Sequence, residues 1–135
     1  MALMTWDESY SVRVAELDGH HRKLFSLINT LHSAMREGKG TSVIRAIVEE
    51  LANYTHTHFQ REEALMEQAK FVGLASHCKL HRDLIARVSD FKAALDSGKA
   101  VNTIEVLEFL REWLAKHIKG VDKGYSSHLN ASGIH

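Results

Sequence analysis

Residues 44–66 read IRAIVEELANYTHTHFQREEALM. Ile44, Ile47, Val48, Leu51, Thr55, His58, Glu62, Leu65 and Met66 recur at spacings of three and four, which puts them on one stripe of an α-helix. The chain contains no proline, so nothing forces a break in a long helix. The stretch predicts a helix from about Thr41 to Gln68, with Thr41 or Ser42 as its cap. Two members of the stripe, His58 and Glu62, are polar where the pattern calls for hydrocarbon.

The same pattern recurs on both sides of this stretch. A first helix is predicted from about Leu17 to Arg36, with Asp18 as N-cap and Gly38-Lys39-Gly40 ending it. A third runs from about Leu74 to Leu95 and stops at Asp96-Ser97-Gly98. A fourth starts at Asn102, with Glu105 placed to complete a capping box, and continues to about His117. Short connections between amphipathic helices make neighbours antiparallel. The expected fold is all-α, an up-down-up-down four-helix bundle occupying 17–122. Residues 1–16, with Trp6, Tyr10, Val12 and Val14, form an N-terminal arm packed over it, and residues 123–135 a polar tail. The 135 residues make one domain.

Composition narrows the function. Lys plus Arg equals Asp plus Glu at 17 each, which argues against nucleic acid or an anionic membrane as the main partner. No apolar run approaches the ~20 residues of a membrane span, and residues 1–10 show no signal-peptide pattern. The single cysteine, Cys78, cannot form an internal disulfide and reads as core. Together these features favour a cytoplasmic location.

Every predicted helix turns at least one imidazole inward. His21 aligns with Leu24, Phe25, Ile28 and Leu31; His77 and His81 align with Leu74, Leu84 and Val88; His117 aligns with Leu110, Trp113 and Leu114. A core histidine on its own is more often hydrogen-bonded than a metal ligand. Five of them with two acids, and no Lys or Arg on the same stripes, leave few structural alternatives to a metal, because burying such groups uncompensated is costly. Side chains at i and i+4 lie roughly 5–6 Å apart at Cβ. His77 and His81 can therefore share one ion, and Glu62 can reach the ion that His58 binds or its neighbour. His20 is the rival to His21, but its stripe is shorter. His117 and Asp122 do not fit an ideal helix, since five residues leave them about 140° apart. Either a π-turn, helped by Gly120, or a helix end between them would bring both to one site.

Imidazole and carboxylate donors suit iron, manganese, zinc or copper. Five nitrogens, two bridging carboxylates and a bridging solvent oxygen nearly fill the shells of two octahedral ions, leaving one position open. That arrangement suits a small diatomic ligand. Carboxylate-rich di-iron bundles carry Glu-x-x-His pairs; this chain has His-x-x-x-Glu and His-x-x-x-His instead. Neutral imidazoles favour lower oxidation states, which inclines the reading toward reversible oxygen binding over oxygen activation.

Asp18-x-x-His21, His58-Phe59-x-x-Glu62-Glu63, His77-x-x-x-His81 and Trp113-Leu114-x-x-His117-Ile118-x-x-x-Asp122 together resemble the hemerythrin family, in its single-domain bacterial branch, over about residues 6–126. The resemblance implies two iron ions with a bridging oxygen and reversible dioxygen binding. It implies that His77, His81 and His117 hold one iron and that His21 and His58 hold the other, which keeps the open position. Glu62 and Asp122 would bridge them. Leu24, Phe59, Trp113 and Leu114 match positions lining an oxygen pocket, though each is also ordinary core. Tyr125 matches a family tyrosine. His20 departs from relatives, which commonly carry a polar amide there. The expected function is oxygen carriage, storage or delivery by a non-enzymatic monomer, with dioxygen as ligand and an unidentified protein recipient. A sensor acting through a separate partner, a di-iron oxidase or peroxidase, and a metal reservoir are the rivals.

Overall fold

The computed structural model describes residues 3–98 and 103–135, and all regular structure among them is helical. A 3-10 turn at Glu8–Tyr10 precedes α1 (Ala15–Arg36), α2 (Thr41–Gln68), α3 (Leu74–Asp96) and α4 (Thr103–Lys116). A π-helical turn, His117–Asp122, joins α4 to α5 (Lys123–Ala131). The fold is a four-helix bundle. α1 packs on α2 and α4, and α2 packs on α3. α3 meets α4 through Phe91 and Phe109, whose rings lie 6.2 Å apart.

The predicted stripes form the core. Leu24, Phe25, Ile28 and Leu31 from α1 meet Val48, Leu51 and Leu65 from α2, Leu84 and Val88 from α3, and Leu107, Leu110 and Leu114 from α4. Each such side chain contributes about 1.5–3 kcal/mol when fully buried. The bundle closes with a recurring helix end. Gly38 adopts φ +68 and Lys39 N–H donates to Ala34 O at 2.9 Å. Lys70 takes the same left-handed role at φ +57, with Phe71 N–H donating to Met66 O. This is the Schellman pattern that satisfies orphan carbonyls.

The starts differ from expectation. α1 begins at Ala15 with Val14 as N-cap and no side-chain cap. Asp18 is not the cap: its carboxylate reaches back to accept from Val12 N–H at 2.8 Å and the Ser11 hydroxyl at 2.7 Å. Val12 is fully buried, so its amide needs a protein partner, and Asp18 supplies it. Gly40, not Thr41 or Ser42, occupies the N-cap of α2. The Asn102 cap lies outside the described residues.

Trp6 and Tyr10 pack against α1, where each meets the Phe25 ring edge-to-face and the two tilt against one another. Residues 123–135 differ from a polar tail. Lys123–Ala131 are helical, and Tyr125 and Leu129 are fully buried. The Ser126 hydroxyl donates to Val12 O, and the Asn130 side chain donates to Arg13 O at 3.0 Å. Ser126 and Asn130 therefore tie the arm down, while Lys123, Ser127 and Ser132 face solvent.

Candidate metal centre

The bundle brings His21, His58, Glu62, His77, His81, His117 and Asp122 to one buried place, each at most 5% exposed. α1 supplies His21, α2 supplies His58 and Glu62, and α3 supplies His77 and His81. The π-helical turn supplies His117 at its first position and Asp122 at its last. Its i→i+5 periodicity sets residue i+5 nearly above residue i, which removes the angular mismatch of a regular helix. His117 Nε2 lies 2.9 Å from Asp122 Oδ1. Of the two solutions open from sequence, the chain uses the π-turn. Gly120 is not what permits it: its φ is not positive, and an added Cβ would meet nothing within 4 Å.

Two groups of donors can be told apart. The Nε2 atoms of His77 and His81 each lie 3.2 Å from Nε2 of His117. Glu62 Oε1 faces this triad, 2.9 Å from His77 and 3.1 Å from His81. Asp122 Oδ1 faces it too, 2.9 Å from His77. The opposite oxygens face the other pair. Glu62 Oε2 is 3.1 Å from His58 Nε2 and 3.6 Å from His21 Nε2, and Asp122 Oδ2 is 3.1 Å from His21 Nε2. Each carboxylate thus lies between the two histidine groups with one oxygen toward each. Glu62, His77, His81, His117 and Asp122 can contribute one donor apiece to a single ion, and His21, His58 and Glu62 to a second.

The donor set fits a cation. Glu62 Oε1, Asp122 Oδ1 and His21 Nε2 are buried without a hydrogen-bond partner among the described residues. Such orphans are rare in a native core and call for an ion or water. The electrostatics of the site point the same way. Burial pulls the imidazoles of His21 and His77 down, but the carboxylates of Asp122 and Glu62 beside them outweigh it and raise both to about 9. Burial pushes Glu62 up, yet four imidazoles hold it well below the ordinary carboxylate range. Burial and the charge of Glu62 push Asp122 up, yet His117, His21 and His77 hold it low. The site keeps two negative charges buried and draws positive charge to them.

Outer contacts hold these groups from behind. His81 Nδ1 lies 2.7 Å from Glu63 Oε2. The Tyr125 hydroxyl donates to Glu62 Oε2 at 3.0 Å. Phe59 stacks on His81 at 3.6 Å between centroids, and Trp113 stacks on His117 at 4.2 Å. His20, weighed from sequence as a rival to His21, lies outside the donor groups, with its Nδ1 2.9 Å from Nδ1 of His58. Sequence reading assigned no outer role to His20 or Glu63: His20 was weighed only as a rival ligand on a shorter stripe, and Glu63 entered only as part of the motif that carries the resemblance.

Leu24, Phe59, Trp113 and Leu114 line one cavity, together with Ile28, Leu51, Thr55, Leu84, Val88 and Leu110. It is small, about 20 Å³, the scale of a single water-sized molecule. Cys78 is half-buried; burial, then Glu63, pushes its thiol up to about 11, so it is no ready nucleophile.

Residues 12–129 match the model of the hemerythrin HHE cation binding domain. The chain is 35% identical over 125 residues to a bacteriohemerythrin of Pseudomonas paraeruginosa, covering 93% of this chain and 80% of that protein. It is 32% identical over 124 residues to myohemerythrin-1 of Phascolopsis gouldii, covering 92% of each. The crystal structure of wild-type hemerythrin superposes with a TM-score of 0.89 at 32% identity, covering 95% of this chain and 98% of that one.

Proposed function

Since the chain belongs to the hemerythrin family, we propose that it binds dioxygen reversibly through seven protein ligands, for carriage, storage or delivery of oxygen in the cytoplasm. The protein is an oxygen-binding protein with a non-haem di-iron centre. Such a centre supplies, when bound, the electrons that make dioxygen binding reversible. His77, His81 and His117 would hold one iron and His21 and His58 the other, with Glu62 and Asp122 each offering one oxygen to either side. The observation that carries this ligand set is the facing of each carboxylate, with one oxygen toward the triad and one toward the pair. The set is one histidine poorer on the His21 side, so that side would offer a bound iron the open position.

The rest of the chain protects the site. Leu24, Phe59, Trp113 and Leu114 form the oxygen pocket. Thr55 and the Trp113 indole are the only polar side chains among the described residues lining that cavity. An apolar wall excludes water and protons, which slows oxidation of the loaded protein. No helix among the described residues is long and apolar enough to cross a membrane. The whole chain, arm and terminal helix included, acts as one unit, a monomer that passes oxygen to a protein recipient.

Iron-loaded protein, reduced without air and then exposed to dioxygen, tests the reading. A visible charge-transfer band should appear as gas is admitted and vanish as it is removed, over repeated cycles. Irreversible oxidation with turnover of an added reductant would replace carriage by a di-iron oxidase.

A further inference from the structure

Of the two imidazoles on the open side, only His58 is held from behind. His21 Nδ1 is buried with no hydrogen-bond partner among the described residues. His58 Nδ1 lies 2.9 Å from His20 Nδ1, with the two rings nearly perpendicular at 87°. His58 turns Nε2 inward, 3.1 Å from Glu62. A nitrogen that binds a metal carries no proton, so the proton of a neutral His58 sits on Nδ1. His20 must then accept it on its own Nδ1 lone pair and carry its own proton on Nε2. That nitrogen lies 4.0 Å from Glu16, beyond hydrogen-bonding distance, and Glu16 is committed to Arg61 at 2.6 and 3.1 Å. The acceptor behind His58 is therefore a neutral imidazole. On the triad side, His81 has a carboxylate in the same role.

We propose that His20 is a positioning residue that fixes the tautomer and ring plane of His58 and, being a neutral acceptor, makes the open-side iron less electron-rich than the triad iron. The proposal rests on the ligand set given above. A hydrogen-bonded ligand imidazole is more basic the stronger its acceptor, and the loss of such a partner typically weakens metal binding about 10- to 100-fold. A carboxylate behind His81 stabilises the oxidised state of its iron. An imidazole behind His58 does so less, which keeps that iron ferrous more readily.

Three variants of the full chain separate this from packing. His20→Asn puts an amide oxygen where His Nδ1 now sits, His20→Asp puts a charged oxygen there, and His20→Phe keeps a ring without an acceptor. Each is loaded with ferrous iron. Midpoint potential, retained iron and the exchangeable imidazole N–H proton resonances of the diferrous form are then measured. The potential should rise in the order Asp, then wild type and Asn together, then Phe. The Phe variant should hold its second iron about 10- to 100-fold more weakly and lose or shift one N–H resonance, with Asn restoring both. Equal potentials across variants that hold two irons, or Asp and Phe shifting in the same direction, would overturn the proposal. If the Phe protein fails to fold, Asp against Asn decides alone, since they differ only in charge. Flat potentials in protein that still cycles dioxygen would sink His20 and spare the ligand set. Wild type unable to hold two irons would sink both.

Discussion

Glu62 lies within 3.6 Å of imidazoles from α1, α2 and α3 and accepts from Tyr125 on α5. One carboxylate thus ties four helices, and it does so only because its charge is matched from every side. His117 is less shared: its Nε2 faces Asp122 and two imidazoles, and its ring is covered by Trp113. Replacing His117 with Ala should lower bound iron from two per chain toward one or fewer, read by metal analysis; two irons retained would remove it from the ligand set. Six of the seven inward polar residues were legible in the sequence, because a polar residue on an apolar stripe contradicts its own surroundings; Asp122 lay off the stripe and needed a distortion of the helix to join them. The partners behind them were not. Whether His20 binds metal or backs a ligand depends on where α1 sits beside α2, and no periodicity within one helix encodes that.

At the scale of elements, helix bodies followed the 3.6-residue period, and the helix starts did not follow the capping signals. Val14, Gly40 and Gly73 occupy N-caps without any side-chain cap bond. Asp18 was the better capping residue in isolation, but a buried amide in the arm claimed it. The ends at Gly38 and Gly98 were legible because both adopt positive φ, which glycine adopts without strain. The π-turn could be inferred only as one of two solutions, since sequence shows the mismatch between His117 and Asp122 and not its resolution. Glycine is dispensable in that turn. Gly120→Ala should keep two irons and leave stability unchanged or raise it by about 0.5–1 kcal/mol. Gly38→Ala, which must hold φ +68, should lose about 1–2 kcal/mol. Thermal denaturation of both variants beside wild type checks the contrast.

For the molecule as a whole, buried charge makes stability depend on pH once metal is stripped. His21 and His77 are raised to about 9, so their contribution is complete below the unfolded value of about 6.5 and is lost as pH climbs through 9. Glu62 and Asp122 are depressed, so theirs is complete above about 4.5 and is lost as pH falls through their lowered values. Metal-free protein should melt highest between about pH 4.5 and 6.5 and at progressively lower temperature toward pH 9; a flat profile across that alkaline range would contradict the charge pairing. The arm and α5 close over this end of the bundle, and the sequence concealed the second half of that closure because α5 looks polar until Val12 and Arg13 are placed beside it. Asp122 and Tyr125 also follow every other member of the cage along the chain, so a ribosome must release all the helices that carry the others before the cage can shut. A nascent chain stalled within α4 would expose four unmatched imidazoles and a lone glutamate to any passing cation, and loading with the right one becomes a race run while the remaining ligands are still being made.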